Sequence, residues 1–179
     1  MALGIPEKSE SASVPETDDY NIRTPTSTSE NVTAEPEEGH DPQSWVPSHG
    51  STVIIRSVSC GNAITLLEGN VVLAPLGGRG SIHWICVESD GWLGFRNRVS
   101  NKFLCHMGHD PRLECSAEQD GKWRHFTITP VPKGGYVMQM LDWWTLRPIV
   151  HNPEKGLQKL GRTGNRLSEG IVWEFIKIE

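Results

Sequence analysis

Three times in this chain a tryptophan leads directly into a short apolar strand, and no other feature narrows the possible folds as much. The three segments are Trp84-Ile85-Cys86-Val87, Trp123-Arg124-His125-Phe126-Thr127-Ile128 and Trp173-Glu174-Phe175-Ile176-Lys177-Ile178. A polar, glycine-containing loop precedes each: Gly77-Gly78-Arg79-Gly80-Ser81, Ser116 to Lys122, and Gly161 to Gly170. Recurrence at this spacing means that one supersecondary unit is used repeatedly, and its apolar face is buried only when the copies pack together.

Within each unit, further short apolar runs are joined by turn residues. The first has Val53–Arg56, Ile64–Leu67 and Val71–Leu73; the second has Trp92–Arg96, Phe103–Cys105 and Leu113–Cys115; the third has Tyr136–Met140, Ile149–Val150 and Leu157–Leu160. The first two units align without a gap, placing Ile55-Arg56-Ser57 over Phe95-Arg96-Asn97. Twelve short strands with turn signals between them predict an all-β, closed or sandwich-like architecture. No window sustains a helical apolar period over three turns, because glycine or proline interrupts the candidates.

Three four-stranded repeats, each closing on a tryptophan strand, resemble a single β-trefoil. The segments Gly91-Trp92-Leu93-Gly94-Phe95-Arg96-Asn97 and Asn101-Lys102-Phe103-Leu104-Cys105 resemble repeats of the fascin-like, actin-crosslinking branch of that fold. The resemblance covers about residues 50–179, with repeats at about 50–89, 90–132 and 133–179. It implies a non-enzymatic binding module for a protein partner, actin-like or otherwise acidic. A carbohydrate-binding module is the second reading and an enzyme of a specialised pathway the third, since trefoils host all three.

Charge divides the chain at about residue 47. Residues 1–47 carry ten acids against Lys8 and Arg23, whereas the remainder carries twelve acids and fifteen bases. The leader is rich in Pro, Ser, Thr and Glu and poor in large apolar residues, so it is expected to be a disordered acidic tail before a domain at 48–179. The opening MALGIPEKSE has neither a basic segment nor an apolar run. The expectations are therefore a cytoplasmic or nuclear location, no membrane span and reduced cysteines.

The motifs weigh against catalysis. Neither a nucleophile elbow nor a phosphate-cradling loop is present. Cys105-His106-x-x-His109 with Cys115 lacks the paired spacing of a zinc site, so no metal or other cofactor is expected, and Cys105 and Cys115 are expected to pack as small hydrophobes. The Gln-x-Trp triplet of ricin-type lectins is absent from all three tryptophan segments. The candidate binding residues are Trp143, Trp144, Arg147, Lys159, Arg162 and Arg166, where an adjacent indole pair meets a local excess of bases with Glu154 the only acid between Arg147 and Arg166. Adjacent indoles in a loop mark either a contact surface or a plug beneath the barrel, while the bases suit an acidic partner. Nucleic acid is not expected, because aromatic and basic residues are not interleaved at length. A sugar site would show instead as an aromatic, an Asp and an Asn converging in the loops of one repeat.

Overall fold

A computed structural model describes residues 45–116, 121, 124–154 and 157–178. Residues 1–44 of the expected acidic tail, Trp123 and Lys155 lie outside the described residues. The strands are β1 Thr52–Ser57, β2 Ala63–Leu67, β3 Asn70–Ala74, β4 Trp84–Ser89, β5 Trp92–Asn97, β6 Phe103–His106 and β7 Leu113–Ser116, then β8 Phe126–Pro130, β9 Tyr136–Asp142, β10 Thr145–Pro148, β11 Val150–Glu154, β12 Leu157–Gly161 and β13 Val172–Ile178.

Six of these close a ring. β1 pairs with β4, β4 with β5, β5 with β8, β8 with β9, β9 with β13, and β13 returns to β1, every pair antiparallel. Ring closure leaves these strands without an open edge, so nearly all their backbone polar groups find ladder partners. The hairpins β2–β3, β6–β7 and β11–β12 gather at one end, joined by the pairs Val72↔Lys159 and Arg112↔Gly161. A six-stranded barrel capped by three hairpins, one per repeat, is a β-trefoil, as the repeats predicted.

Side-chain alternation explains which residues fill the barrel. Along β1, Val53, Ile55 and Ser57 point inward and are buried, while their neighbours are half-exposed. Period-2 polarity of this kind is what a strand with one wet face requires. Ring register then defines equivalent positions across the repeats. Val53 opposes Trp84, Leu93 opposes Phe126, and Tyr136 opposes Trp173. Trp84, Phe126 and Trp173 are all fully buried. In the second repeat the place of Trp84 and Trp173 is therefore held by Phe126. Its ring meets Phe95 edge-on at 5.5 Å, and Phe95 in turn stacks on Phe175 at 6.0 Å. The indole N–H of Trp84 donates to the Ile64 carbonyl at 2.9 Å, so this large ring is buried without losing its hydrogen bond.

Turn chemistry fixes the hairpins. Asp90-Gly91 joins β4 to β5 with both residues at positive φ, 51° and 78°, and Glu68-Gly69 does the same between β2 and β3, at 50° and 83°. Two-residue turns of this kind match the right-handed twist of the flanking strands. The third repeat departs from its siblings. Its first strand runs on to Asp142, turns at Trp143-Trp144 and returns as β10, which the sequence pattern did not predict.

Candidate functional site

Asp142 and Thr145 are paired across the β9–β10 hairpin, so Trp143 and Trp144 form its entire two-residue loop. Trp144 is 83% exposed and Trp143 49% exposed. The alternative of an indole plug beneath the barrel is thereby excluded. Trp143 sits at φ 56°, a left-handed backbone that bulky residues rarely adopt and that Asp90 and Glu68 hold at the same position of the other two-residue turns. A strained bulky residue held at a loop tip marks a position selected for its side chain rather than its backbone.

Beneath the indoles lies a charged cluster drawn from three loops. The Asp142 Oδ2 atom accepts from Arg147 Nε at 2.9 Å and from Arg162 Nη1 at 2.5 Å. Arg162 Nη2 donates to the Gly108 carbonyl at 2.6 Å, tying the third repeat to the β6–β7 loop of the second. Arg147 Nη1 donates to Asn165 Oδ1 at 2.5 Å, and the Asn165 backbone N–H donates to Glu169 Oε2 at 2.9 Å. The imidazole of His109, on the same β6–β7 loop, lies 6.3 Å from the Trp143 ring, tilted by 38°. Asp142, the indole pair and Arg147 share the β9–β10 hairpin, and Asn165 reaches it from the loop after β12 through Arg147.

Each sequence-predicted residue can now be placed. Trp143 and Trp144 are at the surface as a contact site requires. Arg147 is about one-third exposed, with its guanidinium shared between Asp142 and Asn165. Arg162 differs from the expectation of an exposed anchor. Its side chain is only 6% exposed and bridges Asp142 to the Gly108 carbonyl. An arginine in such surroundings orients its neighbours, and its charge is largely neutralised before any partner arrives. Arg166 is exposed at the start of the Leu167–Glu169 turn. Lys159 stands apart from the indoles, half-buried on β12 where the hairpins meet, beside Arg112 and Glu114.

The bases were expected to face only Glu154, yet the nearest acid is Asp142, upstream of the indoles. Sequence reading passed over it, and its one visible signal is that it immediately precedes the Trp-Trp pair. Asn165 carries no signal in the sequence, since its role depends on Arg147 reaching it across the loop.

His106 is fully buried on β6, with Nε2 3.2 Å from the Leu141 carbonyl. Burial pushes its pKa down, and the nearby Arg162 guanidinium adds to the depression, outweighing the Leu141 carbonyl and Asp142. It therefore packs as a neutral ring under the β9–β10 hairpin. Cys105 is buried and Cys115 half-buried on the same cap hairpin, and among the described residues no His, Cys, Asp and Glu are grouped to hold a metal.

An indole face presents apolar area with little entropy to lose, and a flanking carboxylate, guanidinium and amide supply fixed donors and acceptors. This combination suits a ring with an apolar face and a polar edge. No protein-family model and no curated protein matches the chain. Solved structures do. The chain is similar to the Macrolepiota procera ricin B-like lectin in complex with lactose, with a TM-score of 0.56 and 16% identity over 75% of this chain and 100% of that one. It is similar to the Rhizoctonia solani agglutinin, with a TM-score of 0.53 and 14% identity over 75% of this chain and 99% of that one. It also matches the GlcNAcα1-4Gal-releasing endo-β-galactosidase from Clostridium perfringens, with a TM-score of 0.58 and 16% identity over 72% of this chain, which spans only 33% of that one. At these identities the likeness shows the β-trefoil fold.

Proposed function

We propose that this domain is a carbohydrate-binding module whose site is the Trp143-Trp144 hairpin loop with Asp142, Arg147 and Asn165. The observation that carries it is the convergence, in the loops of the third repeat, of two exposed indoles with a carboxylate, a guanidinium and an amide held in fixed geometry. A pyranose would lay its apolar face on the exposed Trp144 ring, and its hydroxyls would meet Arg147 and Asn165, with the buried Asp142 carboxylate holding Arg147 in place. Structural neighbours that bind or cleave galactose-containing sugars support this class and make galactosides the first ligands to try.

The alternative, an actin-like acidic protein partner suggested by the fascin-like resemblance, rested on the basic excess. Asp142 takes up much of that excess by pairing with both Arg147 and Arg162. Calorimetric titration of the full chain with lactose and a panel of galactosides tests the proposal. Binding that Trp144→Ala abolishes without changing the melting temperature, and that 0.5 M salt leaves unchanged, is expected. A panel without binding, or binding indifferent to Trp144→Ala, would sink it; affinity that collapses with added salt would favour the acidic partner.

A further inference from the structure

The barrel carries a second feature that the indole loop does not use. A groove of about 660 Å³ opens between the β1–β2 turn, the β8–β9 loop and the start of β13. Its walls are Val58, Val131, Pro132, Ile171 and Val172, and Lys133 stands at its rim. Sites for small organic ligands typically enclose about 300–1,000 Å³ and are lined in this way, mostly apolar with a few polar groups. Val58 is 52% exposed, a valine that the fold leaves facing solvent.

The groove exists because the junction between the second and third repeats breaks the pattern of the junction between the first and second. β4 and β5 are joined by two residues, between the paired Ser89 and Trp92. β8 and β9 perform the same closure but spend residues 131–135 on it, between the paired Pro130 and Tyr136. The longer loop is held rigidly. Val131 N–H donates to the Gly135 carbonyl and Gly134 N–H to the Val131 carbonyl, both at 3.0 Å. Gly135 has φ +84°, and a Cβ there would lie 2.8 Å from Val172 Cγ1 and 2.9 Å from the Trp173 carbonyl, so the loop lies directly on β13. The opposite wall is pinned by Val58 N–H donating to the Val172 carbonyl at 2.9 Å. The equivalent bond in the second repeat, from Arg98 N–H to the His83 carbonyl, places an arginine where the groove has Val58. The cavity is therefore preformed, and its counterpart in the second repeat has an arginine and a shorter loop in place of these walls.

Charge at the rim selects the ligand. Lys133 makes no ion pair with any described residue. The one lining carboxylate, Glu169, accepts from the Asn165 backbone N–H at 2.9 Å and is drawn toward its own loop. His151 adds a second nitrogen base to the lining. We infer that this groove binds a small amphipathic anion, an apolar ring or chain of moderate length ending in a carboxylate or sulfonate, with the apolar body against Val58 and Pro132 and the anionic end at Lys133.

The test uses the full chain with 1-anilinonaphthalene-8-sulfonate as a fluorescent probe and decanoate as competitor. Saturable binding at one probe per chain, displaced by decanoate, is expected. Val58→Asp and Lys133→Glu alter exposed side chains and should each weaken binding at least tenfold, whereas Trp144→Ala should bind as the unsubstituted protein does. Lys133→Glu should also spare a neutral analogue, N-phenyl-1-naphthylamine. Probe binding unaffected by both groove substitutions, or lost in Trp144→Ala, overturns the inference. So does a dimer in sedimentation that Val58→Asp dissolves and that excludes the probe, because the groove is then an interface between two copies.

Discussion

Replacing Arg162 by alanine tests whether the cluster beneath the indoles is a structural clamp. The side chain is 6% exposed and Asp142 13% exposed, so their 2.5 Å contact is shielded from water on most sides. Removing the guanidinium leaves the Gly108 carbonyl without this donor and leaves Asp142 paired with Arg147 alone among the described arginines. Breaking a buried pair from one side destabilises by about 3–5 kcal/mol, because the remaining charge stays desolvated. Arg147 still faces Asp142 here, so the lower end, about 3 kcal/mol, is expected. With a urea slope of roughly 1.5 kcal/mol/M, the unfolding midpoint should fall by about 2 M. Arg147→Ala is the internal comparison. That side chain is 32% exposed, and its loss should cost only about 1 kcal/mol. A double-mutant cycle of Asp142→Ala with Arg162→Ala should give a coupling above about 1 kcal/mol. A loss below 1 kcal/mol for Arg162→Ala, or a coupling near zero, would refute the clamp and return Arg162 to the surface as a ligand contact.

Phe126→Ala should destabilise by about 3–5 kcal/mol, as expected for truncating a fully buried aromatic, and chemical denaturation would read it directly. Trp143→Gly should raise stability by about 1 kcal/mol by relieving the positive φ, and lower saccharide affinity in the same sample; a loss of stability would mean that the indole packs more than it strains. His106 titrates below the ordinary value because burial disfavours its charged form, so the unfolded chain takes up the proton first. Its contribution to stability is complete above about pH 6.5 and declines as pH falls through that value toward the folded pKa, and His106→Gln should flatten the denaturation midpoint between pH 7 and pH 5. Asp110, whose carboxyl Arg112 holds at about 2, acts in a separate and more acid window, its contribution persisting until pH falls below about 4.

The strands could be read from the sequence because each follows from a local rule. Period-2 polarity marks Val53 and Ile55 as inward, Asp90-Gly91 announces its own turn, and Trp84 and Trp173 stand at the head of runs that can only be core. The same local view did not single out Phe126 in the second repeat. Trp123 heads the segment that contains Phe126, and recognising Phe126 as the equivalent of Trp84 takes its pairing with Leu93 across the barrel. The dipeptides His83-Trp84 and His125-Phe126 carried the equivalence in plain sight. The exposure of the indoles was half-legible, since a loop position permits it without requiring it, and the β9–β10 hairpin decided it. Arg162 was illegible. A charge reads as surface until its partners are known, and its partners, Asp142 and the Gly108 carbonyl, belong to other loops that only barrel closure brings within reach. Periodicity encodes which face of a strand is dry. Which charges meet is decided by distances between segments remote in the chain, and those distances exist only once the three repeats have closed on one another.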